Sequence, residues 1–107
     1  MPDYSGGGIV NLMASLAAGL GGDPGRYPEL VALPAETVAA HQQVVLIVID
    51  GLGHDFLEAH AELAPTLHAH LRGEMTSVFP STTAAAIGTY LTGVAPIEHG
   101  LTGWHVY

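Results

Sequence analysis

Two positions in this sequence have residue types that could do chemistry together. Asp50 closes the apolar run Val44–Ile49 and is followed by Gly51, Leu52 and Gly53. A carboxylate at the carboxyl end of a buried strand lies where open α/β sheets bind ligands, and it can hold a hard or borderline cation. A glycine beside it lets the backbone turn sharply. The second feature is Phe79-Pro80-Ser81-Thr82-Thr83-Ala84, which runs into a helical pattern. Backbone N–H groups at a helix start favour an anion such as a phosphoryl group or an alkoxide. A neighbouring divalent metal can turn a hydroxyl there into a nucleophile. Each feature has a plainer reading. Asp50-Gly51 serves equally as a turn after a strand, and Ser or Thr at a helix start is usually a cap.

The elements that must position these residues can be read from periodicity. Apolar residues at 9, 10, 12, 13, 16, 17 and 20 predict a helix from Ile9 to about Leu20, with Asn11 or Ser5 near its start and Gly21-Gly22 at its end. Residues 1–8 are Gly-rich and read as loose. Residues 21–35 hold three prolines and read as a long loop. The β-branched run Val44–Ile49 has no polar alternation, so it predicts a strand buried on both faces, as in a parallel sheet. Helices are expected over 55–61 and over 64–71, with Pro65 in the first turn of the latter. Residues 74–79 predict a second strand, and 83–91 a helix ended by Thr92-Gly93. Helices alternating with strands predict an α/β architecture. Two strands are few for such a sheet, so the 107 residues read as one domain's amino-terminal part.

Composition narrows the partners. The net charge is −8, Arg26 and Arg72 are the only basic residues besides histidine, and there is no Lys. No basic stripe exists to neutralise a nucleic-acid duplex. A phosphate substrate would need its charge balanced by a metal. There is no Cys, which excludes disulfides and thiolate metal sites. The apolar stretch from Leu12 to Leu20 is too short for a membrane span and has no basic start, so a cytoplasmic chain without a membrane partner is expected. Only 11% of the residues are charged, which leaves a bare surface open to self-association. The seven histidines read mostly as surface residues. His68 and His70 point apart on a helix, His54 follows the Asp50 turn, and His99 shapes its loop. None is assigned as a ligand.

The order of motifs is more specific than any one of them. Ile49-Asp50-Gly51 is followed by Phe79-Pro80-Ser81-Thr82-Thr83, Leu91-Thr92-Gly93 and Glu98-His99-Gly100-Leu101. Over roughly residues 44–104 this resembles the alkaline phosphatase superfamily, and most of all its type I phosphodiesterase and nucleotide pyrophosphatase branch. The resemblance implies an alkaline-phosphatase-like three-layer α/β/α fold with a mainly parallel sheet, of which this chain holds the first part. It implies that Asp50 is a metal ligand, that Thr83 is both nucleophile and metal ligand, and that the N–H of Ala84 contacts the phosphoryl oxygen. Two divalent ions, zinc before others, are the implied cofactors, with only part of their site in this chain. Phosphate diesters or nucleotide pyrophosphates are the implied small substrates, hydrolysed through a phospho-threonine. The family's remaining ligands lie downstream, so the fragment alone is expected to be inactive. Trp104 stands near the position of a family Asn that contacts the transferred phosphate, and Thr82 or Ser81 could in principle replace Thr83. A phosphonate hydrolase, a phosphomutase or a non-catalytic interaction module remain alternatives.

Overall fold

The apolar spacing from Ile9 onward does form a helix. The computed structural model of the chain describes residues 1–105, and in it α1 spans Ile9–Gly19. Its inward face carries Ile9, Val10, Leu12 and Leu16, all buried, and two polar residues, Asn11 and Ser15, that are wholly enclosed. Enclosed polar groups must be hydrogen-bonded to be tolerated, and both are. The Asn11 Oδ1 accepts from the Gly8 N–H at 3.0 Å, and its Nδ2 donates to the carbonyls of Tyr4 at 3.0 Å and Pro28 at 2.8 Å. The Ser15 Oγ accepts from the Leu30 N–H at 2.8 Å. These bonds lay the proline-rich segment 21–34 along α1.

That segment leads into α2 (Ala35–Ala39), whose first N–H donates to Glu29 Oε2 at 2.7 Å. Val38 of α2 packs with Leu12, Leu16 and Leu30. The opposite flank of α1 meets α5 (Thr83–Thr92): Ile9 and Val10 pack with Val78, Ala85 and Ala95. Tyr90 of α5 is partly buried against both clusters. The short α6 (Pro96–His99) follows and packs on α5. The Gly-rich amino-terminal residues join this unit through Thr76, whose Oγ1 accepts from the Asp3 N–H at 2.8 Å.

The chain divides into two compact units. The one just described comprises residues 1–44 and the described part from Met75 onward, and the other comprises Val45–Glu74. This second unit contains α3 (His54–Ala59), a single 3-10 turn at Ala61–Leu63 and α4 (Pro65–Ala69), with Pro65 at the helix start where its missing N–H costs nothing. None of these helical residues is buried. Local contacts hold it: Phe56 stacks on His60 with centroids 4.3 Å apart, and His54 and His68 approach Glu74 and Glu58 at 3.7 Å each. No helix among the described residues is long and apolar enough to cross a membrane.

The expected α/β/α sheet is not present among the described residues, and this corrects the sequence reading. Among the described residues there is no strand, and the pairing of backbones stops at one isolated parallel bridge between Gly8 and Thr76. The bridge is made by Thr76 N donating to Gly7 O at 2.8 Å and Ile9 N donating to Thr76 O at 3.1 Å. Val44–Ile49 belongs to no ladder, and its side chains are exposed, Val45 at 80% and Ile47 at 74%. The pattern of that run encodes burial on two faces. A strand, however, exists only where neighbours take its N–H and C=O groups. The 74–79 segment finds one such contact, at Thr76, and ends there.

The Asn11 carboxamide gives a direct stability test. Asn11→Ala strands the buried Gly8 N–H and two carbonyls, and is expected to cost about 3 kcal/mol in urea unfolding. Ser15→Ala is expected to cost about 1 kcal/mol, because the Leu30 N–H keeps a second acceptor in the Asn11 carbonyl at 3.1 Å. Equal midpoints for wild type and Asn11→Ala would remove Asn11 from this role.

Candidate active site

Two adjacent threonines begin α5, and backbone geometry gives them different positions. Thr82 is extended (φ −104°, ψ 153°), and its Oγ1 accepts from the Ala85 N–H at 3.3 Å. It is therefore the cap. Thr83 is the first helical residue, on the surface at the same end. The cap takes the Ala85 amide rather than that of Ala84, which sits at the second helical position. The approach to this turn is anchored by Val78, which is buried, and by the Phe79 N–H, which donates to the Tyr4 hydroxyl at 3.2 Å. The Phe79–Pro80 peptide is cis. A hollow of about 400 Å³ reaches Ser81 along Thr76–Phe79, walled also by Met1 and Pro2.

The segment after α6 contacts the same turn. The Thr82 hydroxyl donates to the Thr102 carbonyl at 3.3 Å. Glu98 is held at three points: Oε1 accepts from the Tyr27 hydroxyl and, at 3.3 Å, from the Ala95 N–H, while Oε2 meets Arg26 at 2.6 Å. The Tyr27 hydrogen bond, with lesser help from Ala95 and Arg26, holds the Glu98 carboxyl below the usual range. Arg26 in turn lies over the Tyr27 ring, 5.5 Å from its centroid. Trp104 is 76% exposed.

Asp50 belongs to the second unit, and Thr83 and Ala84 to the first. Asp50 is exposed at the end of Val44–Ile49. Gly51 after it has φ +77°, the left-handed conformation that the turn requires and that an L side chain rarely adopts. A carboxylate and a hydroxyl are oxygen donors suited to a hard or borderline cation. Yet the described residues contain no group of three or more His, Asp or Glu side chains that could hold a metal ion. The donors present do not amount to a coordination shell.

A family model described as type I phosphodiesterase / nucleotide pyrophosphatase matches residues 44–107. The chain belongs to this family. The match takes in both Asp50-Gly51 and the Thr83 turn, as well as the 91–93 and 98–101 motifs. The family is one of hydrolases acting on small phosphodiester or nucleotide substrates, and it is generally metal-dependent. No curated protein and no solved structure matches the chain. Residues 9–38 lie outside the matched span, although α1 supplies the surface on which α5 rests. Sequence reasoning did not find the Thr82–Thr102 contact. The only signal for it was that two hydroxyl residues compete for one cap.

The depressed Glu98 carboxyl predicts a pH effect whose sign follows from linkage. Its contacts contribute fully above the ordinary glutamate range and are lost as the pH falls through the lower, folded-state value. Amide exchange at Ala95 and Glu98, followed from pH 7 to about 3, is expected to show α6 loosening on the acid side. Glu98→Gln is expected to flatten that profile, and an unchanged acid limb would show that Glu98 does not govern it.

Proposed function

We propose that Thr83 is the nucleophile of a hydrolase that cleaves phosphate diesters or nucleotide pyrophosphates. The observation that carries this reading is the position of Thr83: first residue of a ten-residue helix, beside a separate capping hydroxyl, within the matched family span. Capping falls to Thr82, so the cap and the proposed nucleophile are different side chains.

In this reading Thr83 Oγ attacks phosphorus, an O–P bond forms, the P–O bond to the departing alcohol or nucleotide breaks, and the threonine's proton passes to the departing oxygen. The Ala84 N–H donates to a phosphoryl oxygen as charge grows on it. Water then attacks phosphorus, the Thr83 O–P bond breaks, and a phosphomonoester leaves with the threonine hydroxyl restored. Two divalent ions, zinc before others, would balance the charge on the phosphoryl oxygens. Asp50 and Thr83 are the donors this chain would offer them, and the described residues contain no group of three or more His, Asp or Glu side chains that could hold a metal ion.

Two assays test the proposal. The 107-residue chain alone, supplied with zinc, is expected to hydrolyse bis(4-nitrophenyl) phosphate no faster than zinc in buffer. In a protein whose catalytic domain includes this chain with the missing ligands, Thr83→Ala is expected to lower kcat by at least about 10³-fold, as loss of a nucleophile does. Thr82→Ala is expected to retain measurable turnover. Near-wild-type rates in Thr83→Ala would take the role from Thr83. A loss confined to Thr82→Ala would assign it to the neighbour.

A further inference from the structure

We infer that His99 is a positioning residue for the Thr83 turn, acting as a fixed tautomer that holds the following loop against Thr82. The inference rests on Thr83 being the nucleophile. It begins with the two ring nitrogens. Nδ1 accepts from the Leu101 N–H at 3.1 Å, and Nε2 lies 3.3 Å from the Thr89 Oγ1. A backbone N–H can only donate, so Nδ1 carries no proton there. The Thr89 hydroxyl spends its single proton on the Val94 carbonyl at 2.9 Å, so it faces the ring as an acceptor. Both ends select the same form, with the ring proton on Nε2.

The ring also has a prepared seat. Thr89 is fully buried on α5, and one residue earlier the helix carries Gly88. A Cβ at Gly88 would come within 2.7 Å of the His99 Cε1 and 2.9 Å of Nε2. The ring therefore crosses α5 at the one helical position that has no side chain.

What the ring holds is otherwise loosely tied. Leu101 and Thr102 are exposed, so burial does not fix them. The Leu101 N–H is bound to His99, and the next residue supplies the carbonyl that receives the Thr82 hydroxyl. With its proton committed to Thr102, Thr82 turns a lone pair toward the Ala85 N–H, which is the cap. A run of hydrogen bonds thus leads from a buried threonine on α5, through His99 and the loop, back to the residue that precedes Thr83.

Asparagine and glutamine separate the two nitrogens. His99→Asn places an acceptor near the Nδ1 position and keeps the Leu101 bond. His99→Gln reaches the Nε2 position and loses it. In the full chain, long-range ¹H–¹⁵N spectra are expected to show His99 with Nδ1 bare and Nε2 protonated. Amide exchange at Leu101 and Ala85 is expected to rise about tenfold in His99→Gln and in Gly88→Ala, the effect of one lost hydrogen bond, and to change less than about twofold in His99→Asn. The Thr83 methyl resonance is expected to shift in the first two variants and not in the third. The opposite tautomer, or equal behaviour of the Asn and Gln variants, would overturn the inference. None of these readouts needs turnover. An active Thr83→Ala enzyme would therefore sink the nucleophile reading while leaving the observed ring geometry in place.

Discussion

The first unit depends on one buried carboxamide. Asn11 satisfies the N–H of Gly8 and the carbonyls of Tyr4 and Pro28, so one side chain joins the start of α1, the amino-terminal segment and the proline-rich loop. A polar group in an enclosed position is unfavourable unless every bond is made. That makes the arrangement specific: a shift of any of the three segments leaves a donor or acceptor stranded. With α1 so placed, Ile9 and Val10 form one wall of the cluster that receives Val78 and Ala85, and the start of α5 is defined relative to it. The distance from Asn11 to the candidate nucleophile is thus two packing steps, α1 to α5 and α5 to its own first residue.

Helices α1, α3, α4 and α5 were legible because their signal is local, whereas α2 and α6 were not expected. Spacing from Ile9 to Leu20 announced α1, a proline at 65 marked the start of α4, and Thr-Thr before an alanine run marked α5. The strands were not legible, although their composition looked stronger. Val44–Ile49 has the residue types of a doubly buried strand, yet a helix closes its hydrogen bonds within itself and a strand cannot. Residue type describes the environment a segment would need. It does not say whether a neighbour is there to provide it, and the described residues provide none. Thr76 illustrates the same limit on a smaller scale. One bridge forms because Gly7, Gly8 and Ile9 pass beside it, and nothing in residues 74–79 announces that partner.

At the site, residue types and the helix start were readable, since a helix expected over 83–91 begins at Thr83, but the contacts around it were not. Two consecutive threonines have the same hydroxyl, so a cap and a nucleophile look alike in sequence. Backbone geometry distinguishes the two threonines: Thr82 is extended and bonded to Ala85, and Thr83 has entered the helix. The contacts that keep them apart come from residues far along the chain. Thr102 is twenty residues from Thr82, and His99 ten from Thr89. Such pairs follow from how α6 folds back on α5, a tertiary fact that no spacing rule contains.

Charge limits how this surface could accept a phosphate. The chain carries a net charge of −8, so an anionic substrate meets an unfavourable field before any contact is made. Within the first unit, Arg26 is poor compensation. Arg26 is engaged by Glu98 at 2.6 Å and by the Tyr27 ring, and releasing it would undo the contacts that secure α6. The helix start contributes only about half an elementary charge, and salt screens it. A phosphodiester carries a full charge, and attack on it adds more. Backbone donors at the start of α5 can orient such a group, but they cannot balance it. The general metal dependence of this family answers to that shortfall of positive charge.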